Sequence, residues 1–164
     1  MIGALLAAAA LSLTSPAFTE GGAIGSKFTC DAGPQNPSPA LAWKDAPATT
    51  KSFVLILHDP DAPMPGGFTH WVLFDIPATT KALPDNFQPG SVGVSGTSGF
   101  RRQGYGGPCP PTGSHHYHFM LSALDVPTLG LQAGATKADV EKAMEGHVVD
   151  KTELVGTYQR QPKP

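Results

Sequence analysis

The sequence has little charge and no concentration of one sign. Among 164 residues there are 11 Lys and Arg against 13 Asp and Glu, a formal net charge of −2. The only adjacent basic pair is Arg101-Arg102. A broad basic face for nucleic acid is therefore excluded. Cysteine is scarce as well: Cys30 and Cys109 lie 79 residues apart, so there is no zinc-type CxxC spacing. Two readings stay open for them, a pair of buried free thiols or one disulfide, and a disulfide requires an oxidising compartment. No GxSxG nucleophile elbow occurs, although Ser114 lies beside His115.

Long hydrophobic runs are also missing. The Ala-rich run from Ile2 to Leu13 is too short to span a bilayer, so no transmembrane anchor is expected. It resembles the hydrophobic part of a signal peptide, with Ala8-Ala9-Ala10 as a small-residue cleavage site, although no Lys or Arg precedes it. On that reading residues 1–10 are a signal peptide or its remnant, residues 11–160 form one domain, and the protein is periplasmic or secreted. The alternative is an ordinary first strand in a cytoplasmic protein.

What is abundant is glycine (19) and proline (17). With clear hydrophobic runs between them, this composition points to many short strands joined by tight turns. Ser52 to His58 is continuously apolar, the pattern of a strand buried on both faces. It stops at DPDAP, where Pro60 and Pro63 end ladder pairing. Thr69 to Ile76 reads as a second central strand. Strict alternation would put His70, Val72, Phe74 and Ile76 on one face and Trp71, Leu73 and Asp75 on the other. Residues 77–104 form a long Gly/Ser-rich connector. A third strand runs from His115 to Asp125, with His115 and Tyr117 on one face and His116 and His118 on the other. Thr136 as N-cap with Asp139 at N3 predicts a helix continuing through Met144, His147 and Val148. A last strand is expected over Glu153 to Tyr158. The segment PATTK occurs at 47–51 and 77–81 in unlike surroundings, which suggests two similar turns rather than a repeat.

Two segments carry polar groups suited to chemistry. Asp59, Asp61 and His70 flank the turn between the first two central strands, so antiparallel pairing brings carboxylates and imidazole to one rim. A bland reading makes Asp59 and Asp61 caps of an Asx-type turn. The second segment, GYGGPCPPTGSHHY, sets a stiff Gly/Pro loop before His115 and Tyr117. Gly106 and Gly107 would let backbone approach a ligand, and the few remaining N–H groups would converge on an anion.

DPDAP followed by HWVLFDIP, then GYGGPCPPTGSHHYHFMLSALD, resemble the two signature regions of the phosphatidylethanolamine-binding protein family. The bacterial YbhB/YbcL-like branch, often called Raf-kinase-inhibitor-like, is the nearest in pattern. LTSPAF, FTCDAGPQNPSPALAW and APATTKSFVLIL support it, so the resemblance extends from residue 11 to residue 158. It implies an all-β fold, an antiparallel β-sandwich with one or two peripheral helices. It also implies a metal-free, non-catalytic pocket for phosphate, a phospholipid head group or a similar anion. Asp59 and His70 match the first signature's pocket residues and Asp61 its supporting carboxylate. Gly107, Pro108, His115 and Tyr117 match the second signature's, and Trp71 and Pro63 would help form the wall. No cofactor is implied, and relatives regulate or inhibit partner kinases or proteases.

Three features depart from the family pattern. His115-His116-Tyr117 stands where relatives usually have His-Arg-Tyr, so the ion pair to Asp61 would need a protonated His116. The extended C-terminal segment of the animal members has no counterpart after Tyr158, which predicts a more open pocket. The export signal would separate the chain from cytosolic kinases. Two competing functions remain at this level. Asp59, His70 and His115 could form a two-His-one-carboxylate metal site of a hydrolase, or the chain could be an interaction scaffold with a vestigial pocket.

Overall fold

The computed structural model describes residues 7–162, arranged as two antiparallel sheets packed face to face. The strands are β1 (Ser12–Thr14), β2 (Leu41–Lys44), β3 (Ser52–Asp59), β4 (Phe68–Pro77), β5 (Ala82–Leu83), β6 (Val94–Ser95), β7 (Ser114–Leu124) and β8 (Val148–Gln159). The larger sheet has the order β6-β4-β3-β7-β8 and the smaller one β1-β2-β5. One α-helix, α1 (Lys137–Met144), and two short 3-10 turns at Ser26–Phe28 and Cys30–Ala32 lie at the periphery.

The two faces of β3 explain its unbroken apolar sequence. Phe53, Leu55 and Leu57 join Trp71, Leu73, Tyr117, Phe119 and Leu121 against Leu13, Leu41, Trp43 and Leu83 of the smaller sheet. Val54 and Ile56 face the other way, packing with Val72, Phe74 and Leu124 beneath Val140 and Met144 of α1. A strand between two apolar layers has no polar face to alternate with.

In β4 the structure departs from strict alternation at two points. Leu57 pairs with Trp71 but His58 pairs with Thr69, so His70 is an inserted residue. Likewise Phe53 pairs with Ile76 and Leu55 with Leu73, leaving an extra residue around Asp75, whose φ is +52°. Each bulge shifts the side-chain alternation beyond it. Ile76 therefore lies in the core with Trp71 and Leu73, not with Val72 and Phe74 as alternation requires. Asp75 is held in its left-handed conformation by bonds to its carboxylate from the Leu129 N–H (2.8 Å) and the Thr128 hydroxyl (2.9 Å).

The helix begins as its capping residues dictate, with Thr136 and Asp139 forming a reciprocal capping box. It ends earlier than its apolar spacing suggests. Gly146, at φ +79°, reverses the chain after Met144. His147 lies outside the helix, and Val148 already opens β8, five residues before the expected strand start. Both PATTK segments close the same turn, Thr50 N–H to Pro47 O (3.0 Å) and Thr80 N–H to Pro77 O (2.9 Å). Leu11 and Leu13 are buried in the core, while residues 7–10 are exposed coil. The first part of the proposed signal segment, residues 1–6, lies outside the described residues. Cys30 and Cys109 form a disulfide, Cα–Cα 5.4 Å, which selects between the two readings of the cysteines.

Candidate functional site

The site forms where β3 ends and where β4 and β7 begin. Pro60 terminates the β3 ladder just after Asp59, whose side chain points along the same face as Leu57. Asp59 is only 2 % exposed and both its oxygens are engaged. Oδ1 accepts the Asp61 N–H at 2.8 Å, and Oδ2 accepts from Nδ1 of His115 at 2.7 Å. One oxygen of Asp59 thus closes an Asx-type turn and the other orients the His115 imidazole. The turn after it is clamped by His58, whose Nε2 bonds the Gly66 carbonyl at 2.8 Å and whose Nδ1 contacts the Thr69 hydroxyl at 3.2 Å.

The bulge in β4 turns His70 toward β7. Its ring meets Tyr117 edge-on at 5.3 Å between centroids, and Phe68 at 5.0 Å. Nδ1 donates to the Gly106 carbonyl at 2.8 Å. Burial holds this imidazole below its ordinary value, with the Gly106 carbonyl and the Asp59 charge pulling the other way. Because a carbonyl and a carboxylate only accept, both Nδ1 atoms carry hydrogen. On a neutral ring Nε2 of His70 and of His115 is then a lone pair.

These groups line one cavity of about 300 Å³. Its remaining wall is apolar: Pro63, Met64, Phe68, Phe100, Pro110 and Pro111, with Ala62 and Cys109. Of the residues expected in the pocket, Asp59, Pro63, His70 and His115 line it. Met64, Phe68 and Phe100 are additions that sequence reading missed. The first two sat in plain view beside DPDAP and His70, but Phe100 arrives from the long connector.

The other expected residues are placed differently. Trp71 is fully buried in the sandwich core against Phe87 and Tyr105, because the residue after the bulge points inward. Tyr117 is fully buried behind the two imidazoles, stacked on His115 at 6.4 Å. Burial and the Asp59 charge push its phenol well above the usual value, and its hydroxyl makes no hydrogen bond of normal geometry. Gly107 and Pro108 support the loop from behind. The Gly107 N–H donates to Asn36 Oδ1 (2.8 Å) and the Pro108 carbonyl accepts from Cys30 N–H (3.0 Å). The Gly106 N–H bonds the His70 carbonyl (3.0 Å). The amides of these two glycines thus serve the fold and do not converge on a ligand. Their missing side chains make room for protein: a Cβ on Gly106 would lie 2.2 Å from the Phe100 ring, and one on Gly107 2.2 Å from the Phe28 carbonyl.

Asp61 stands outside the cavity wall. Its Oδ2 accepts from both the backbone N–H (2.8 Å) and Nδ1 (2.7 Å) of His116. These bonds, the side-chain one first, hold its carboxyl below the ordinary range. A neutral ring with hydrogen on Nδ1 makes the same bond, so His116 substitutes for the family arginine without having to be protonated. The depressed Asp61 value means that its contribution to stability is present above the ordinary carboxylate range and fades as pH falls through the lowered value. In a His116→Ala protein the Asp61 carboxyl should titrate closer to the ordinary range but still below it, since the backbone donor remains. Carboxyl-detected NMR titration checks this, and an unmoved Asp61 titration would rule it out.

Among the described residues no three His, Cys, Asp or Glu side chains are placed to hold a metal ion, and no helix is long and apolar enough to cross a membrane.

The sequence model of a family described as phosphatidylethanolamine-binding protein matches residues 14–159. A UPF0098 protein of Aquifex aeolicus is 45 % identical over 157 residues, 93 % of this chain and 90 % of that relative. A UPF0098 protein of Methanothermobacter thermautotrophicus is 45 % identical over 156 residues, 92 % of this chain and 99 % of that relative. Among solved structures, Escherichia coli YbcL, described as a new member of the mammalian PEBP family, superposes with a TM-score of 0.85. It is 30 % identical and covers 93 % of this chain and 100 % of its own. A putative homolog from Chlamydia trachomatis gives the same TM-score at 37 % identity, covering 93 % of this chain and 99 % of its own.

Proposed function

The chain belongs to the phosphatidylethanolamine-binding protein family, and from that premise we propose that it binds a small anionic ligand, such as phosphate or a phosphorylated head group, without converting it. One observation carries this reading. Two buried imidazoles line a single cavity, each fixed through Nδ1 and each left with Nε2 as its only free ring nitrogen. Neutral, these nitrogens accept a hydrogen bond from a protonated phosphate. Protonated, they donate to its anionic oxygens. With the Gly106 and Gly107 amides engaged elsewhere, the two imidazoles are the groups that hold the ligand, and binding is coupled to proton uptake.

Non-catalytic binding suits this geometry better than metal-assisted hydrolysis. Asp59 gives one oxygen to the Asp61 N–H and the other to His115 Nδ1, so it serves as the orienting partner of an imidazole rather than as a third ligand beside His70 and His115. The Cys30–Cys109 bridge supports a periplasmic or secreted location. A bound ligand could in turn govern association with a partner enzyme such as a kinase or protease.

Titration of the metal-stripped protein with phosphate and with phosphoethanolamine, followed through the imidazole signals of His70 and His115, tests the reading. Both signals should shift together and saturate. His70→Ala and His115→Ala should each weaken binding about tenfold or more, the loss of a charge-assisted hydrogen bond, while amide spectra stay dispersed. Wild-type affinity in both variants refutes the assignment. Stoichiometric zinc or manganese in the purified protein would favour the hydrolase instead.

A further inference from the structure

The cavity does not end at Phe100. A second depression of about 360 Å³ lies on the other side of that ring and shares Phe100 and Cys109 with the first. It continues through Asn36 and Arg102 into a third, of about 550 Å³, over Phe87 and Tyr105. Phe100 is the partition between the first two. It rides on a tight turn closed by the Arg101 N–H to the Ser98 carbonyl (2.9 Å), with Arg101 at φ +60°. Its ring lies on Gly106, where a Cβ would collide with it, and remains 40 % exposed.

Arg102 is the one charged residue lining either outer depression. Among the described residues it forms no ion pair, and its guanidinium sits over the Phe100 ring at 5.5 Å. Asp31, the chain neighbour of the lining residue Cys30, is itself held by Tyr158, Arg160 and the Gln161 N–H. The Phe100 centroid is 5.4 Å from that of His70 and 5.5 Å from the Arg102 guanidinium, so imidazole and guanidinium are no more than about 11 Å apart.

We propose that Arg102 anchors a second subsite, and that the ligand is elongated, with a polar head against His70 and His115, an apolar middle across Phe100 and a second anionic group on Arg102. This rests on the anion-binding reading of the inner cavity and extends it. A guanidinium held over an aromatic ring keeps its N–H edge free for a carboxylate or phosphate. Two linked contacts within such a span act as one bivalent site, in which the second binds at high effective concentration.

Calorimetry with two probe series tests this: alkyl monophosphonates, and α,ω-alkanediphosphonates of increasing chain length. In the wild type a diphosphonate of matching length should bind about tenfold or more tightly than the monophosphonate, and shorter ones should show no gain. Arg102→Gln should abolish that gain and leave monophosphonate affinity within about twofold, because an exposed side chain outside the inner cavity is removed. No gain at any length, or an equal weakening of both probes by Arg102→Gln, overturns the second subsite while the inner site stands. If neither probe binds or moves the His70 and His115 signals, the inner-site reading fails and the subsite falls with it.

Discussion

Sulfate is expected to bind the wild-type protein more weakly by about tenfold for each proton that must be taken up per pH unit above the imidazole range, and Asp59→Asn is expected to remove one of those protons. Sulfate is the suitable probe because its own charge does not change there. In the wild type, Nδ1 of both His70 and His115 is locked as a donor, so each ring must be protonated at Nε2 before it can donate to an anion. An Asn at position 59 keeps one carbonyl oxygen for the Asp61 N–H and turns an NH2 group toward His115. The imidazole must then accept through Nδ1 and carry its hydrogen on Nε2. His115 becomes a donor without taking up a proton. The slope of log affinity against pH should therefore be about one unit shallower in the variant. The two proteins should converge at acidic pH and diverge as pH rises. Weaker sulfate binding by Asp59→Asn at every pH would mean that the anion is held by a charged His115 paired with Asp59, and would overturn the account in which a neutral His115 donates through Nε2.

The buried His70 adds a stability effect of defined sign. Its folded value lies below the ordinary one, so the unfolded chain binds more protons as pH falls through the ordinary imidazole range. The unliganded protein loses stability over that interval, while an anion that requires the protonated ring gains affinity over the same interval. Anion should thus protect the fold against mild acid more than against mild base.

Removal of the disulfide is the second large effect. The bridge closes a 79-residue loop between Cys30 and Cys109, and chain-entropy estimates for a loop of this size reach about 4 kcal/mol. A Cys30→Ala/Cys109→Ala protein should be about 2–4 kcal/mol less stable in chemical denaturation, with a melting temperature lower by roughly 10 °C. It should still fold. The same seam is held by Cys30 N–H to Pro108 O (3.0 Å), Gly107 N–H to Asn36 (2.8 Å) and the Tyr105 hydroxyl to Phe28 O (2.7 Å). Since Cys109 is part of the cavity wall, anion affinity should fall with it. Equal stability of oxidised, reduced and variant proteins would show that the bridge adds nothing to those hydrogen bonds.

The sequence by itself determined the local features. Ser52 to His58 announces a strand covered on both faces, and the observed β3 is such a strand. Thr136 and Asp139 form the capping box that their spacing requires. The signature residues Asp59, His70 and His115 meet in one cavity, because antiparallel strands must bring the end of β3 beside the starts of β4 and β7. These properties depend on period, chain reversal and neighbours in sequence.

Only the tertiary structure decided which way His70 faces. A bulge is a mismatch between two strands, so no alternation within β4 alone reveals that His70 is inserted opposite Leu57 and His58, or that Asp75 returns Ile76 to the core. The same holds for the glycine amides. Gly107 takes Asn36, 71 residues away, as its acceptor, and Gly106 takes the His70 carbonyl, so donors that looked free for an anion are already satisfied. A buried N–H must find some acceptor, but which one depends on what the remainder of the chain packs against it. Phe100 entered the site for that reason too: it comes from a connector with no strand pattern, and its seat exists because Gly106 leaves room for its ring.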